Sequence, residues 1–408
     1  MDSVKKRRVT LFSIFFTFFV DNLGWAIVFP IFAPFFLGTK DQIFSSEWTI
    51  AGRTTLLGIF LALYPLAQFF GAPILGELAD VSGRKKAFLL SLILTFVGYI
   101  LGAFALSKGD LFLLFLSRIC CGFFSGNLSI CLASLSDLSR DEKMKEKYFG
   151  YLSAVVGISF IAGAFLGGKL SDATLSSTFN FAFPLWVAAG LSFINLIILS
   201  FGFSETLFVP KNIKFDLLEG VHNIQEALKT PKLKVFYLIY FLFLFSWNML
   251  FQFTPVRLVN LFHFSPSNIG NVSAFMGVCW VLGSSLGSKL ALKRFSSLKV
   301  LEIVLISFTT FSLLLSFQQG LVGVVSIVGL CIIISGIGWP SCTSVISNLA
   351  SKEIQGKILG MSQSMQSLAM AMAPLIGGFG DKFFFRAPFL LASLASFIAS
   401  LYYFRIKL

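Results

Sequence analysis

The chain has 408 residues, of which 56% are hydrophobic, 16% aromatic and 12% charged, with a formal net charge of +13; its mean hydropathy is +0.86. A soluble domain of ordinary make-up carries about 25% charged residues, so the charges here cannot cover a water-facing surface, and a large soluble domain is excluded. A nucleic-acid partner, the usual reading of so basic a chain, is set aside as well, because the basic residues lie between apolar runs and form no separate module.

Crossing a hydrocarbon core takes roughly 20 mostly apolar residues. Such runs are expected at 9–36, 55–75, 87–107, 111–133, 149–170, 182–203, 235–256, 268–288, 299–317, 321–347, 356–380 and 385–404. In hydrocarbon the backbone must satisfy its own hydrogen bonds, which leaves helices or a closed barrel, and the runs lack the short alternating segments of barrel strands. The first run follows Lys5, Lys6, Arg7 and Arg8 and lacks the short core and small-residue cleavage site of a signal peptide. The longest connection, 204–234, holds five lysines and an apolar pattern at helical spacing (Phe215, Leu217, Leu218, Val221, Ile224, Leu228). It is expected to be a linker with one surface helix. An even number of spans puts both termini on one side. That side receives 24 of the 32 basic residues, the opposite side 7, and Arg118 falls inside a span; the positive-inside rule then makes the termini cytoplasmic. The six cysteines, Cys120, Cys121, Cys131, Cys279, Cys331 and Cys342, all lie in apolar runs without a CxxC pattern or a neighbouring His. They read as small buried helix residues, and no metal or cofactor is expected. Glu302, near the start of the ninth run, is expected to reach water.

The two halves repeat. Gly150 and the Gly167-Gly168 pair recur as Gly360 and Gly377-Gly378 at an offset of 210, Gly126 recurs as Gly336, and Gly76 and Arg84 match Gly287 and Arg294. Parallel six-helix repeats are a carrier architecture. The expected fold is therefore an all-α polytopic membrane protein of twelve helices in two six-helix pseudo-repeats, 1–203 and 235–408, joined by the linker 204–234.

Between the second and third runs stands Gly76-Glu-Leu-Ala-Asp80-Val-Ser-Gly83-Arg84-Lys85-Lys86. It resembles the signature loop of the major facilitator superfamily, with every specified position filled. Leu116-Ser-Arg118-Ile-Cys-Cys-Gly122 is similar to the family's helix 4 motif, and Ser134-Leu-Ser-Asp137 to its helix 4–5 connection. Ser204-Glu205-Thr206-Leu207 resembles the end of helix 6 in drug:proton antiporters. Asp21-Asn22-Leu-Gly24, Gln355-Gly356-Lys357-Ile-Leu-Gly360 and Pro374-Leu-Ile-Gly377-Gly378 resemble tetracycline-type exporters. The helix 5 motif departs from that pattern: Ala164 stands for its proline and Ser159 for its first glycine, which puts the proline-dependent bend in question. The resemblance implies a secondary carrier working by alternating access, with proton-coupled efflux of a small organic solute as the leading function. A metabolite importer of the same fold and a transporter-like sensor are the alternatives. It also implies a monomer whose partners are the solute, protons and the lipid bilayer, and a plasma-membrane or bacterial inner-membrane location. The glycines of the loop should allow a tight turn, with Asp80, Arg84 and Lys85 completing a gate.

Asp21 lies about 18 Å along the first run and Arg118 about 11 Å into the fourth, which enters from the other side, at 1.5 Å per residue. In a core ~30 Å thick these depths coincide. A titratable Asp21–Arg118 pair coupling protons to transport is expected, against the plainer reading of a static ion pair. Asn22, Trp25, Tyr64, Gln68, Asn127, Trp247, Asn248, Gln252, Trp339 and Gln363 are candidates to line a weakly polar, aromatic substrate cavity.

Overall fold

The computed structural model describes residues 3–38, 44, 48–207, 218, 221–225, 231–348 and 355–407. Among them every regular element is helical. Span 1 comprises Ser3–Ile27 and Phe29–Leu37. Span 2 is Ile50–Ser82, span 3 Arg84–Lys108, and span 4 comprises Leu111–Phe123 and Asn127–Leu138. Spans 5 and 6 are Glu142–Leu170 and Phe183–Gly202. Span 7 is Pro231–Phe262, and span 8 runs from Pro266–Leu282 through a π turn at Gly283–Gly287 into Ser288–Arg294. Spans 9 to 12 are Ser297–Phe317, Leu321–Asn348, Gln355–Phe383 and Ala387–Lys407. Eleven of these are long and apolar enough to cross a membrane. Span 11 is a helix of 29 residues whose inward face is diluted by Ser362, Ser364 and Ser367, all buried. Of the expected linker helix, residues 221–225 are helical; Phe215, Leu217 and Leu228 lie outside the described residues.

Two spans break where single unbroken helices were expected. Span 1 is interrupted at Val28, two residues before Pro30, which has no N–H to give the preceding turn. Span 4 is interrupted at Phe124-Ser125-Gly126, where span 2 presses in: a Cβ on Gly126 would lie 2.8 Å from the Cα of Ala72. Span 5, by contrast, is one continuous helix through Ala164. Its glycines seat it on span 1, since a Cβ on Gly163 would lie 2.7 Å from the Leu23 carbonyl oxygen.

The inside-out polarity of a membrane protein is visible within single helices. Span 3 exposes Leu90, Ile93, Val97 and Phe104 and buries Ser91, Thr95, Gly98 and Gly102. Span 9 exposes Ile303, Ile306, Leu313 and Phe317 and buries Ser312 and Ser316. Lipid tails accept the apolar stripe, while Ser312 and Ser316 turn their hydroxyls back on the preceding turn, Ser312 to the Phe308 carbonyl at 2.6 Å.

Contacts divide the chain into two compact units. One is Met1–Phe32, Ala67–Leu217 and Pro266–Ala274; the other is Ala33–Leu66, Leu218–Ser265 and Phe275–Leu408. In the first, spans 1, 5 and 6 pack together and span 3 lies against spans 4 and 6. Its core includes Ile14, Phe18, Leu75, Phe88, Ile130 and Phe203. In the second, span 7 packs on spans 11 and 12, and span 9 on spans 10 and 12.

Candidate functional site

The signature loop is a single residue long. Span 2 ends at Ser82, span 3 begins at Arg84, and Gly83 between them has φ 100° and ψ 149°. That backbone region is essentially open to glycine alone, which accounts for the motif's glycine at this position. Gly76 has ordinary room, its nearest would-be neighbour being Ser129 Oγ at 3.7 Å. Arg84 is buried, ion-paired with Asp80 at 2.5 Å and with Asp137 at 3.4 Å. Thr206 Oγ1 donates to the same Asp137 oxygen at 3.2 Å, and Lys85 Nζ donates to the Ser200 carbonyl at 2.8 Å.

The centre of this cluster is Glu205, to which sequence reasoning assigned no role. Gly83 has no side chain to cap the first turn of span 3. Glu205 does so from beyond the end of span 6: Oε1 accepts the Arg84 N–H and Oε2 the Lys85 N–H, both at 3.0 Å. Oε1 also accepts the N–H groups of Thr206 and Leu207 at 2.9 Å. Partial burial pushes the carboxyl up, but the four backbone donors outweigh it and hold it below its ordinary value. A carboxylate at a helix N-terminus is also favoured by the helix dipole. The cluster thus ties together the span 2–3 loop, the end of span 4 and the end of span 6.

Inside the membrane-spanning region, Asp21 of span 1 is held by span 4, though not through Arg118. Asn127 Nδ2 donates to Asp21 Oδ2 at 2.6 Å. The amide orientation follows from its other edge, where Ser91 Oγ of span 3 donates to Asn127 Oδ1 at 2.5 Å. The guanidinium of Arg118 lies 5.4 Å over the Phe32 ring. The break in span 4 explains the difference. Arg118 and Asn127 stand on opposite sides of it, and the segment beginning at Asn127 carries that amide to the carboxylate.

The family model of the Major Facilitator Superfamily matches residues 14–338. The chain belongs to that superfamily. Among curated relatives, it is 28% identical over 369 residues to the class H tetracycline resistance protein of Pasteurella multocida, covering 88% of this chain and 86% of that one. It is 27% identical over 377 residues to the quinolone resistance protein NorA of Staphylococcus aureus, covering 90% and 89%. Among solved structures, a human organic anion transporter superposes with a TM-score of 0.70 at 19% identity, covering 97% of this chain and 99% of that one. A D-xylose–proton symporter superposes at 0.73 with 14% identity, covering 97% and 98%. These two likenesses show the shared fold. The protein is a multi-pass membrane transporter.

The superfamily fold distributes the remaining cavity candidates over both units. In the first, Asn22 Nδ2 turns back to the Phe18 carbonyl at 2.8 Å, Trp25 packs against Phe160 at 5.7 Å, and Gln68 is half-buried. In the second, Trp247 stacks on Trp280 at 4.7 Å, and Trp280 approaches Trp339 at 6.4 Å. Asn248 donates to the Leu244 carbonyl at 2.8 Å and Gln252 to that of Met370 at 3.3 Å; Tyr64 is buried and Gln363 exposed. Asn22 and Asn248 therefore spend a donor on their own helices, while the tryptophans form a connected aromatic wall.

Two charged residues differ from expectation. Glu302 is buried and paired with Lys299 at 2.8 Å rather than bathed in water, because span 9 begins at Ser297 and places it in the second turn. Arg257, counted with the loop residues opposite the termini, is the largest fully buried side chain among the described residues. Span 7 continues to Phe262, past the expected end at 256, and carries Arg257 inward beneath Phe389, 4.9 Å from the guanidinium carbon. Its Nη2 donates to the Gln318 carbonyl, and Nε and Nη1 have no hydrogen-bond partner among the described residues.

Proposed function

We propose that this transporter exports small organic compounds in exchange for protons, with both termini in the cytoplasm. The observation that carries the reading is the Asp21–Asn127–Ser91 network. A carboxylate placed among membrane-spanning helices is costly when ionised without a compensating charge. Here its hydrogen-bond partner is a neutral amide, and the cation on the same span, Arg118, stands on the other side of a helix break. Such a carboxyl can take two arrangements. Protonated, it rests on Asn127; ionised, it is drawn toward Arg118. A proton gradient can bias that pair of states and, with it, the rocking of the two six-helix repeats, 1–203 and 235–408, about the linker 204–234. The relatives named for tetracycline and quinolone resistance support organic solutes as cargo and efflux as the direction. The aromatic wall of Trp247, Trp280 and Trp339 suits planar or amphipathic molecules.

Reconstituted Asp21→Asn protein should lose solute accumulation driven by a pH jump and keep downhill exchange. Accumulation at the wild-type level would place the coupling group elsewhere, and accumulation with the proton-flow direction reversed would make the protein an importer.

A further inference from the structure

Two arginines meet in one corner of the second compact unit, at the ends of spans opposite the termini. Arg257, 2% exposed, reaches the carbonyl of Gln318, the residue just past span 9, through its Nη2. Its Cζ lies 4.9 Å from the centre of the Phe389 ring and 5.8 Å from that of Phe385. Arg386 follows Phe385 in the chain, and its Cζ lies 5.4 Å over Phe317, which precedes Gln318. The adjacent pairs Phe317-Gln318 and Phe385-Arg386 thus bring both guanidinium groups to the same place.

No carboxylate among the described residues is ion-paired with either arginine. Asp381, the acid nearest to Arg386 in the chain, instead borders a cleft with Asn260 and Phe385. Ring faces attract a cation but take none of the N–H bonds in its plane, and Nε and Nη1 of Arg257 have no hydrogen-bond partner among the described residues. A buried charge left in this way is costly. Paired guanidinium groups with N–H bonds to spare are a donor set suited to phosphate.

Depth and surroundings indicate where such an anion comes from. Span 7 has 32 residues, about 48 Å at 1.5 Å per residue. Centred on a ~30 Å hydrocarbon core, it extends about 9 Å beyond each face. Arg257 stands about 8 Å before its end at Phe262, at the level where lipid phosphates begin. The residues flanking the corner in sequence are apolar and exposed: Phe317 57%, Val322 80%, Phe383 85% and Phe384 50%. Acyl chains can cover such a rim, and a free ion gains nothing from it.

We propose that Arg386 at the rim and Arg257 behind it form a site for the phosphate group of an anionic phospholipid in the leaflet opposite the termini. Arg386, half-buried, meets the phosphate first. Turning the Phe385 ring toward the cleft of about 390 Å³ that it borders opens the spare N–H groups of Arg257 to a second phosphate oxygen. Basic pockets between membrane-spanning helices hold lipid headgroups in this manner. Such a site is independent of the solute, the coupling ion and the direction of net flux.

Native mass spectrometry of the full-length protein, delipidated in detergent and titrated with phosphatidylglycerol, tests it. Wild type should bind a first phosphatidylglycerol well ahead of any further lipid. Arg257→Met and Arg386→Met should each weaken that first binding roughly tenfold, as expected for losing a hydrogen bond to a charged group, with lipid-free thermal midpoints no lower than wild type to show that both are folded. Lys108→Met, which removes a charge from the same side but not from this corner, should match wild type. Phosphatidylcholine, whose own cation competes with the arginines, should bind more weakly. Phosphatidylglycerol, and not inorganic phosphate, should raise the midpoint of wild type. Unaltered binding in either arginine variant, equal weakening in Lys108→Met, or equal binding of phosphatidylcholine would overturn the site. An equal rise in midpoint with inorganic phosphate would overturn its assignment to lipid.

Discussion

Replacing Glu205 by Gln should loosen the first turn of span 3 and little else. The wild-type carboxylate accepts four backbone N–H groups, two of them the leading amides of the Arg84–Lys108 helix. The residue at the cap position is a glycine that can offer nothing in its place. Loss of a helix N-cap costs about 1 kcal/mol, with a range of roughly 0.5–2. Gln keeps one acceptor oxygen, and Glu205 is exposed enough for water to screen part of the effect, so the lower half of that range applies. One kcal/mol is about a fivefold change in an opening equilibrium. Protection factors of the Arg84 and Lys85 amides should therefore fall roughly fivefold in Glu205→Gln, while amides in the middle of span 3 keep theirs. The pH dependence has a definite sign. The folded-state pKa lies below the ordinary 4.5, so the stabilisation is complete above about that pH and is lost as pH falls through the lower folded value. Wild-type protection at Arg84 and Lys85 should decline on acidification below pH ~4.5, and the Gln variant should show no such decline. Protection unchanged by the substitution, or lost evenly along span 3, would refute the capping role.

Three further outcomes follow from the same structure. Gly83→Ala forces a Cβ into a backbone region that costs of order 1–3 kcal/mol and should lower the thermal midpoint in detergent, whereas Gly150→Ala, with nothing within 4 Å of the new Cβ, should leave it unchanged or raise it. Arg257→Met should preserve or increase that midpoint, because a buried guanidinium with two nitrogens lacking hydrogen-bond partners among the described residues gives up little when replaced by an apolar chain of similar length; a fall of several degrees would show that the cation is compensated. A cysteine at Lys145 or Lys293 should react with an impermeant reagent from the cytoplasmic side and one at Lys108 from the opposite side, and labelling of Lys145 and Lys108 positions from one side would overturn the orientation.

The membrane class, the helical content and the span order were legible in the sequence because they depend on local quantities: runs of apolar residues, backbone self-satisfaction in hydrocarbon, and glycines repeating at an offset of 210. The signature loop was legible for the same reason, since Gly83 must take a backbone conformation closed to other residues and Arg84 follows it directly. Which groups meet across the fold was decided elsewhere. Depth along a helix placed Asp21 and Arg118 at one level, but depth carries no azimuth. The break at Phe124-Ser125-Gly126 set the second half of span 4 so that Asn127, not Arg118, reached the carboxylate. Glu205 became a cap only because the end of span 6 lies beside the start of span 3, more than a hundred residues away in the chain. Arg257 was buried because its helix ran six residues beyond its expected end. Composition fixes what a segment must dissolve in; the angle and contact partner of each side chain are set by helix packing, where a single interruption turns one face into another.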